Sequence, residues 1–334
     1  MTGKPVLVVI EHDRGVAAET AFQALAFARS LVTAGAATSV DAVLIGANAD
    51  GLASVLAPHG VHIVWQLHHD ALSDYGPEAW ADAMVQLIPQ VQPIAVVATG
   101  TDRGNEVLAH VGAILDLPFA SNVTSATAGA DAWAVTRVRW GGSLLEDATL
   151  RAPIKVMSTA VHAFTGEAPG GLVTGEMATR VVEPSLDASS SRTRVVDRVT
   201  LAAGITLTTA PVVVSGGRGV GSPEGFAILE ELAGLLGGAV GCSRVVTNNG
   251  WRPHADQVGQ TGKRVAPDLY IACGISGAIQ HWVGMMAAKK VLAINIDGAA
   301  NMVSKADYAV VGDLHEVLPA IIAELKARRA DARR

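Results

Sequence analysis

Cysteine is almost absent: Cys242 and Cys273 are the only two in 334 residues, and no Cys-x-x-Cys spacing joins them. Neither a disulfide framework nor a cysteine-based zinc site is indicated, and a reducing, cytoplasmic setting is the expectation. No apolar run approaches the roughly 20 residues needed to span a bilayer, so membrane insertion is not expected. The chain passes from Met1-Thr-Gly-Lys-Pro5 straight into a strand-like run, with neither a signal peptide's apolar core nor an Arg/Ser-rich transit segment. Basic charge is also scarce. The formal net charge of -6, and the lack of any Lys/Arg run interleaved with aromatics, argue against nucleic acid as a partner. Only the tail from Lys326 to Arg334 is basic, which reads as the solvated end of a final helix. Gly-x-Ser-x-Gly elbows, Walker loops and His-Glu-x-x-His motifs are missing, so hydrolysis and phosphoryl transfer have no support, and no catalytic residue is assigned. His68-His69-Asp70 lacks a third ligand at usable spacing and reads as a loop; no metal is expected.

What is present is apolar material, 50% of the residues against 17% charged, enough for two cores. Short β-branched runs alternate with amphipathic segments through PVLVVIEH, SVDAVLIGA, VHIVWQL and PIAVVATG, which predicts a parallel sheet with helices on both faces. Its strand ends at Glu11-His12-Asp13 and Gly100-Thr101-Asp102 fall where such sheets place a ligand crevice. From Ala120 to Val199, pieces such as WAVTRVRW and turns such as Trp140-Gly-Gly142 and Pro169-Gly-Gly171 read as extra strands of the same domain. There Asp187–Arg192 is expected as an exposed loop and Thr193–Val199 as a last strand, with a linker over Leu201–Thr209. The alternation restarts at Ala210, with a helix opened by Ser222-Pro223-Glu224 and stopped by Gly237-Gly238. The fold class is therefore α/β, two open parallel-sheet domains over residues 1–200 and 210–330.

Strands of the second domain end in small or polar residues at Ser215-Gly-Gly-Arg218, Cys242-Ser-Arg244, Gly274-Ile-Ser-Gly277, Asn295 and Asp313. Their shared position predicts one crevice. GISGAIQH (Gly274–His281) leads a strand through glycines into a helix, a junction that admits a phosphate close to free N–H groups or simply packs tightly. Helical spacing puts Ile279, Trp282, Val283 and Met286 on an apolar face and His281 opposite, open either to solvent or to a ligand. Arg218 and Arg244 follow strands and suit a phosphate, a negatively charged ring or a surface salt bridge. Asp313 either accepts from a ribose or caps the next helix. The glycines of Gly216–Gly221 have the wrong spacing for a nicotinamide-dinucleotide fingerprint.

Taken together, VVVSGGRGVGSPEGF, GCSR, QVGQTGKRVAPDLYIACGISGAIQHWVGM, VLAINID and ADYAVVGDL resemble, in order and spacing, the C-terminal domain of electron transfer flavoprotein alpha subunits, over about Pro211 to Leu325. The opening PVLVVIEHDRG is similar to the same family. The resemblance implies an N-terminal domain like the adenine-nucleotide hydrolases (Rossmann-like) that contacts a beta subunit, and a C-terminal domain of the NAD/FAD-binding kind holding one non-covalent FAD. It further implies AMP on the beta subunit, acyl-CoA or other dehydrogenases as electron donors and a quinone oxidoreductase as acceptor. Matched motif by motif, the FAD contacts are Arg218, Ser243, Arg244, Val258, Gly259, Gln260, Thr261, Ser276, Gly277, Ala278, Ile279, Gln280, His281, Asn295, Asp313 and Leu314. Thr261 would face flavin N5, His281 the N1/O2 edge and Arg244 the ring, with Asn295, Asp313 and Leu314 toward the adenosine. After Asp297 the chain reads GAANMVSKADY where family members usually carry Pro-Ile-Phe, and Cys273 replaces a usual aliphatic residue. An electron-bifurcating relative using NADH, an NAD-dependent enzyme and a regulatory nucleotide-binding module are the competing readings.

Overall fold

The computed structural model describes residues 3–169, 177–196 and 205–331. The chain divides into two compact units, Met1–Trp140 with Leu144–Val199, and Gly141–Ser143 with Thr200–Arg334.

The first unit opens with β1 (Val6–Val9), a small hairpin of β2 (His12–Asp13) and β3 (Val16–Ala17), α1 (Glu19–Thr33) and β4 (Val40–Ile45). There follow α2 (Ala53–Leu56), β5 (Val61–Leu67), α3 (Pro77–Val91), β6 (Ala95–Thr99) and α4 (Asp102–Ile114). β7 (Phe119–Ala128), β8 (Trp133–Arg139), β9 (Leu144–Leu150), β10 (Lys155–Thr159) and β11 (Ala178–Val182) complete it. The large sheet runs β11-β5-β4-β1-β6-β10-β7-β8-β9, parallel as far as β7 and antiparallel through β8 and β9. β1, β4 and β6 are buried along their whole length because helices cover both faces. α1 packs Phe27 and Leu31 against Val6 and Val8, while α3 and α4 pack Leu87 and Leu108 against Leu7 and Val96.

The order reverses between β1 and β6, where sequence places a crevice. Side chains fill it instead. The Thr101 hydroxyl donates to the Glu11 carboxylate, Tyr75 donates to Glu106 at 2.7 Å, and the Arg103 guanidinium lies 4.8 Å over the Tyr75 ring. Nearby, His12, Tyr75 and Trp80 line a small void of about 10 Å³.

Several loops differ from expectation. Asp187 accepts from Ser189 N and turns Ala188–Ser191 into a 3-10 helix that buries Ser190, while Asp187, Ser189 and Arg192 are exposed as expected of this segment. Residues 193–196 are not in a strand; the rest of that expected strand, Gly170-Gly171 and 201–204 of the expected linker lie outside the described residues. His68 lies 2.9 Å from Asp50 and the His69 ring accepts from Ala71 N, both local loop bonds.

The second unit contains β12 (Val212–Gly216), α5 (Ala227–Leu236), β13 (Ala239–Cys242), α6 (Arg244–Asn248), β14 (Leu269–Cys273) and α7 (Ile279–Met285). β15 (Lys290–Asn295), α8 (Asn301–Lys305), β16 (Tyr308–Val311) and α9 (Leu314–Asp331) follow. Its sheet is parallel throughout in the order β13-β12-β14-β15-β16. Phe226, Leu229, Leu318 and Ile322 fill one face and Tyr270, Val258, Met285 and Met302 the other. Gly237, at φ 64°, ends α5 in the left-handed conformation that glycine favours. No helix among the described residues is long and apolar enough to cross a membrane.

Candidate functional site

β12 pairs with β13 on one side and β14 on the other, so the second sheet has its switch point at the ends of these strands. There the crevice is open. A cavity of about 590 Å³, within the usual range for a small-molecule or cofactor site, is lined at this end of the sheet.

Of the residues expected from sequence, Arg218, Ser243, Arg244, Val258, Gly259, Gln260, Thr261, Ser276, Ala278, Gln280, His281 and Asn295 line this cavity. Gly277, Ile279, Asp313 and Leu314 do not. Gly277, at φ 81°, is packed so closely on Met302 that a Cβ would strike its backbone, so chain packing alone already requires glycine here. Ile279 points outward. Asp313 caps α9, accepting from His315 N at 2.9 Å, and Leu314 is a core side chain beneath Gly274.

Gly274 and Ile275, from the strand end expected at the crevice, also line it, whereas sequence reading missed Gly219, Val245, Gln257, Ile296, Asp297 and Ala300, which complete the wall. Most are neighbours of expected residues along the same strand ends. Gln257 is different: only 2% exposed, it donates from Nε2 to Thr261 Oγ1 at 2.9 Å and accepts at Oε1 from Thr247 Oγ1 at 2.8 Å.

α7 corrects two expectations. His281 does not face open space; it is buried, with Nε2 2.9 Å from the Tyr270 hydroxyl. Ile279 and Met286, expected in the core, are about half exposed, while Val283 and Met285 are buried. The cause is the partner of the helix. Gln260 N donates to Gln280 O at 2.7 Å and Val265 N to Gly284 O at 2.8 Å, so the loop over residues 257–265 occupies one flank. That seam turns 281 and 285 onto the sheet and leaves 279 and 286 outside. Burial pushes the His281 imidazole down to about 4, with the Val258 backbone pulling the other way, so the ring is neutral near pH 7.

Positive charge therefore comes from Arg218 and Arg244. Both side chains are exposed at the cavity, and neither pairs with a carboxylate among the described residues, against the salt-bridge alternative. Ser243 stands at the N-cap of α6 without capping it, and its buried hydroxyl has no partner; the buried Nδ1 of His281 likewise makes no hydrogen bond of good geometry. Such atoms in a cavity wall await a polar ligand. Asn295 has both ends engaged, donating to Ile275 O at 3.0 Å and accepting from Asp297 N at 3.1 Å, and so fixes two strand ends together. Asp297, accepting from Ala299 N, is the acidic member of the lining. Cys242 and Cys273 are free and buried, and burial raises both thiols to about 12, which leaves them inert.

Two family profiles match the chain: "Electron transfer flavoprotein domain" over residues 6–189 and "Electron transfer flavoprotein FAD-binding domain" over residues 206–286. The chain is similar to electron transfer flavoprotein subunit alpha of Bacillus subtilis, 36% identical with 97% of this chain and 98% of the relative covered. It is 34% identical to the subunit alpha of Thermoanaerobacterium thermosaccharolyticum, over 97% and 98% of the two chains. It is 33% identical to Protein FixB of Bradyrhizobium diazoefficiens, over 97% and 89%.

Proposed function

We propose, from the premise that this chain belongs to the electron transfer flavoprotein alpha-subunit family, that it pairs with a beta subunit and holds one FAD non-covalently in the cavity of its second unit. The observation that carries this reading is the open switch point, where two guanidinium groups unpaired among the described residues meet the unpartnered buried hydroxyl of Ser243 in one wall. When bound, the flavin takes up electrons and releases them one at a time; the protein supplies binding, orientation and electrostatics. Arg218, at the end of β12, suits a pyrophosphate. Arg244 and the hydroxyls of Ser243 and Thr261 supply positive potential and donors toward added electron density. His281, neutral and tied to Tyr270, contributes shape and a polar edge rather than charge. Asn295 and Asp297 would hold the far end, with Leu314 packed beneath Gly274 behind it and Asp313 capping the helix that carries Leu314.

On this reading the first unit, its own crevice filled, serves contact with the beta subunit, which carries AMP. Electrons arrive from acyl-CoA or related dehydrogenases and leave to a quinone oxidoreductase, with the protein acting in the cytoplasm as a carrier. The test is co-expression with the beta-like chain and stepwise reduction of the purified complex under a visible spectrum. A yellow complex that bleaches with added reductant is expected; a folded heterodimer that takes up no FAD on reconstitution overturns the reading.

A further inference from the structure

The loop from Gln257 to Lys263 is closed on itself. Lys263 N donates to Gln257 O at 2.6 Å, Gly259 N to Lys263 O at 3.2 Å, Gly262 N to Gly259 O at 3.1 Å, and Gln260 N reaches across to Gln280 O. Its backbone donors are thus largely consumed internally, which leaves side chains to address the cavity. Among these, Thr261 lines the cavity and is exposed to it.

The Thr261 hydroxyl is not free to turn. Thr247 Oγ1 shares its single proton between Gln257 Oε1 at 2.8 Å and Arg244 O at 2.9 Å, and this orients the carboxamide with its Nε2 toward Thr261 Oγ1 at 2.9 Å. A hydroxyl has one proton and two lone pairs. With a lone pair of Thr261 taken by the amide, its own proton has no acceptor among the described residues and is directed into the cavity. A buried amide that lost either partner would carry an unsatisfied polar group, so the arrangement is held from both ends.

We infer that Gln257 is a positioning residue, the middle member of a Thr247-Gln257-Thr261 relay that presents the Thr261 hydroxyl to the cofactor as a hydrogen-bond donor and so favours electron uptake. This rests on the FAD reading above. The ligand edge facing Thr261 must then be an acceptor, and added electron density on that edge strengthens the bond, which raises the flavin's affinity for electrons. Gln257 touches no reacting atom; it acts through Thr261.

The test uses the FAD-loaded heterodimer and reads the ratio of reduced to oxidised flavin at a fixed potential set by a reference dye. Gln257→Glu offers two acceptors and no donor, and draws the Thr261 proton inward. Its ratio is expected to fall about tenfold, equivalent to ~1.4 kcal/mol, the scale of one hydrogen bond. Thr247→Val, outside the cavity wall, is expected to lower the ratio in the same direction by less. In a Thr261→Val background, Gln257→Glu is expected to change the ratio by less than about twofold, because the route is gone.

A Gln257→Glu complex with the parental ratio overturns the inference. So does a full tenfold fall in the Thr261→Val background, which would mean that the new charge or a packing defect acts directly. If Gln257→Glu does not load FAD, Thr247→Val decides, and an unchanged ratio there sinks the relay. A parental complex that binds no FAD removes the cofactor reading and the relay with it, whereas FAD-loaded complexes with equal ratios remove only the relay.

Discussion

The Nε2 of His281 lies 2.9 Å from the hydroxyl of Tyr270, the largest fully buried side chain among the described residues. Burial keeps the phenol protonated and the imidazole neutral, so the pair anchors α7 to β14 without charge.

A pH dependence follows from this pair. In the unfolded chain His281 takes up a proton near its ordinary value of 6.5, whereas in the folded state it does so only near about 4. Its contribution to stability is present above pH 6.5 and is lost as pH falls through that interval, by on the order of 3 kcal/mol in total. His281→Asn is expected to be less stable at neutral pH yet to lose less on acidification. Urea midpoints at about pH 7 and about pH 4.5 check this.

The two arginines separate by what they change. Arg218→Ala is expected to weaken FAD binding by about tenfold to a hundredfold, the scale of a charge-assisted hydrogen bond. Arg244→Ala is expected to hold FAD but lower its reduction potential, by roughly 1 kcal/mol of electron affinity. Equilibrium dialysis and spectroelectrochemical titration of the heterodimer measure the two separately.

At Gly284 a Cβ would strike the backbone N and Cα of Gly259, and neither neighbour is a flexible side-chain end. Gly284→Ala is expected to cost about 1–3 kcal/mol and to loosen the 257–265 loop. Gly234 in α5 meets nothing within 4 Å, and Gly234→Ala is expected to stabilise by up to about 1 kcal/mol. Opposite signs in parallel denaturant melts are the check.

In the first unit, burial raises the Glu11 carboxyl above its ordinary 4.5, only partly offset by Thr101 and Arg103. The folded state then binds the proton more tightly than the unfolded chain, so this group costs stability as pH rises from 4.5 through its folded value. Glu11→Gln keeps an acceptor for Thr101 and removes the charge. Its advantage over the parent is expected to be small at about pH 4 and to grow and level off by about pH 8, read from paired thermal melts.

The α/β alternation was legible because VLVV, VDAVLI, AVVAT and VVVSG are buried on both faces and so read as near-continuous apolar runs, broken only by the buried Asp41, Thr99 and Ser215. The strand-end clustering of Arg218, Ser243, Arg244 and Asn295 was legible for the same reason: in the second unit the apolar runs give way to polar residues where the strands stop. The orientation of α7 was not legible. Its hydrophobic spacing points Ile279 and Met286 inward, but the helix has seven residues and its neighbour along one flank is a loop held by backbone bonds at Gln280 and Gly284. Backbone bonds carry no side-chain signature. Gln257 escaped notice likewise, since one amide in an extended loop has no periodicity to stand out from. The filled crevice at Glu11 and Thr101 was hidden because the sequence shows which strand ends are polar, not whether their side chains find each other across 90 residues.

The Gly259–Gly284 seam has a bearing on how this site can diverge among related chains. Where two backbones touch, no side chain can be exchanged, so the floor of the cavity is effectively frozen. Variation is confined to positions whose side chains project from the rim, such as Val245 and Ile296. The floor sets what kind of molecule can lie there; the rim is the surface on which closely related proteins can come to differ in how strongly that molecule holds its electrons.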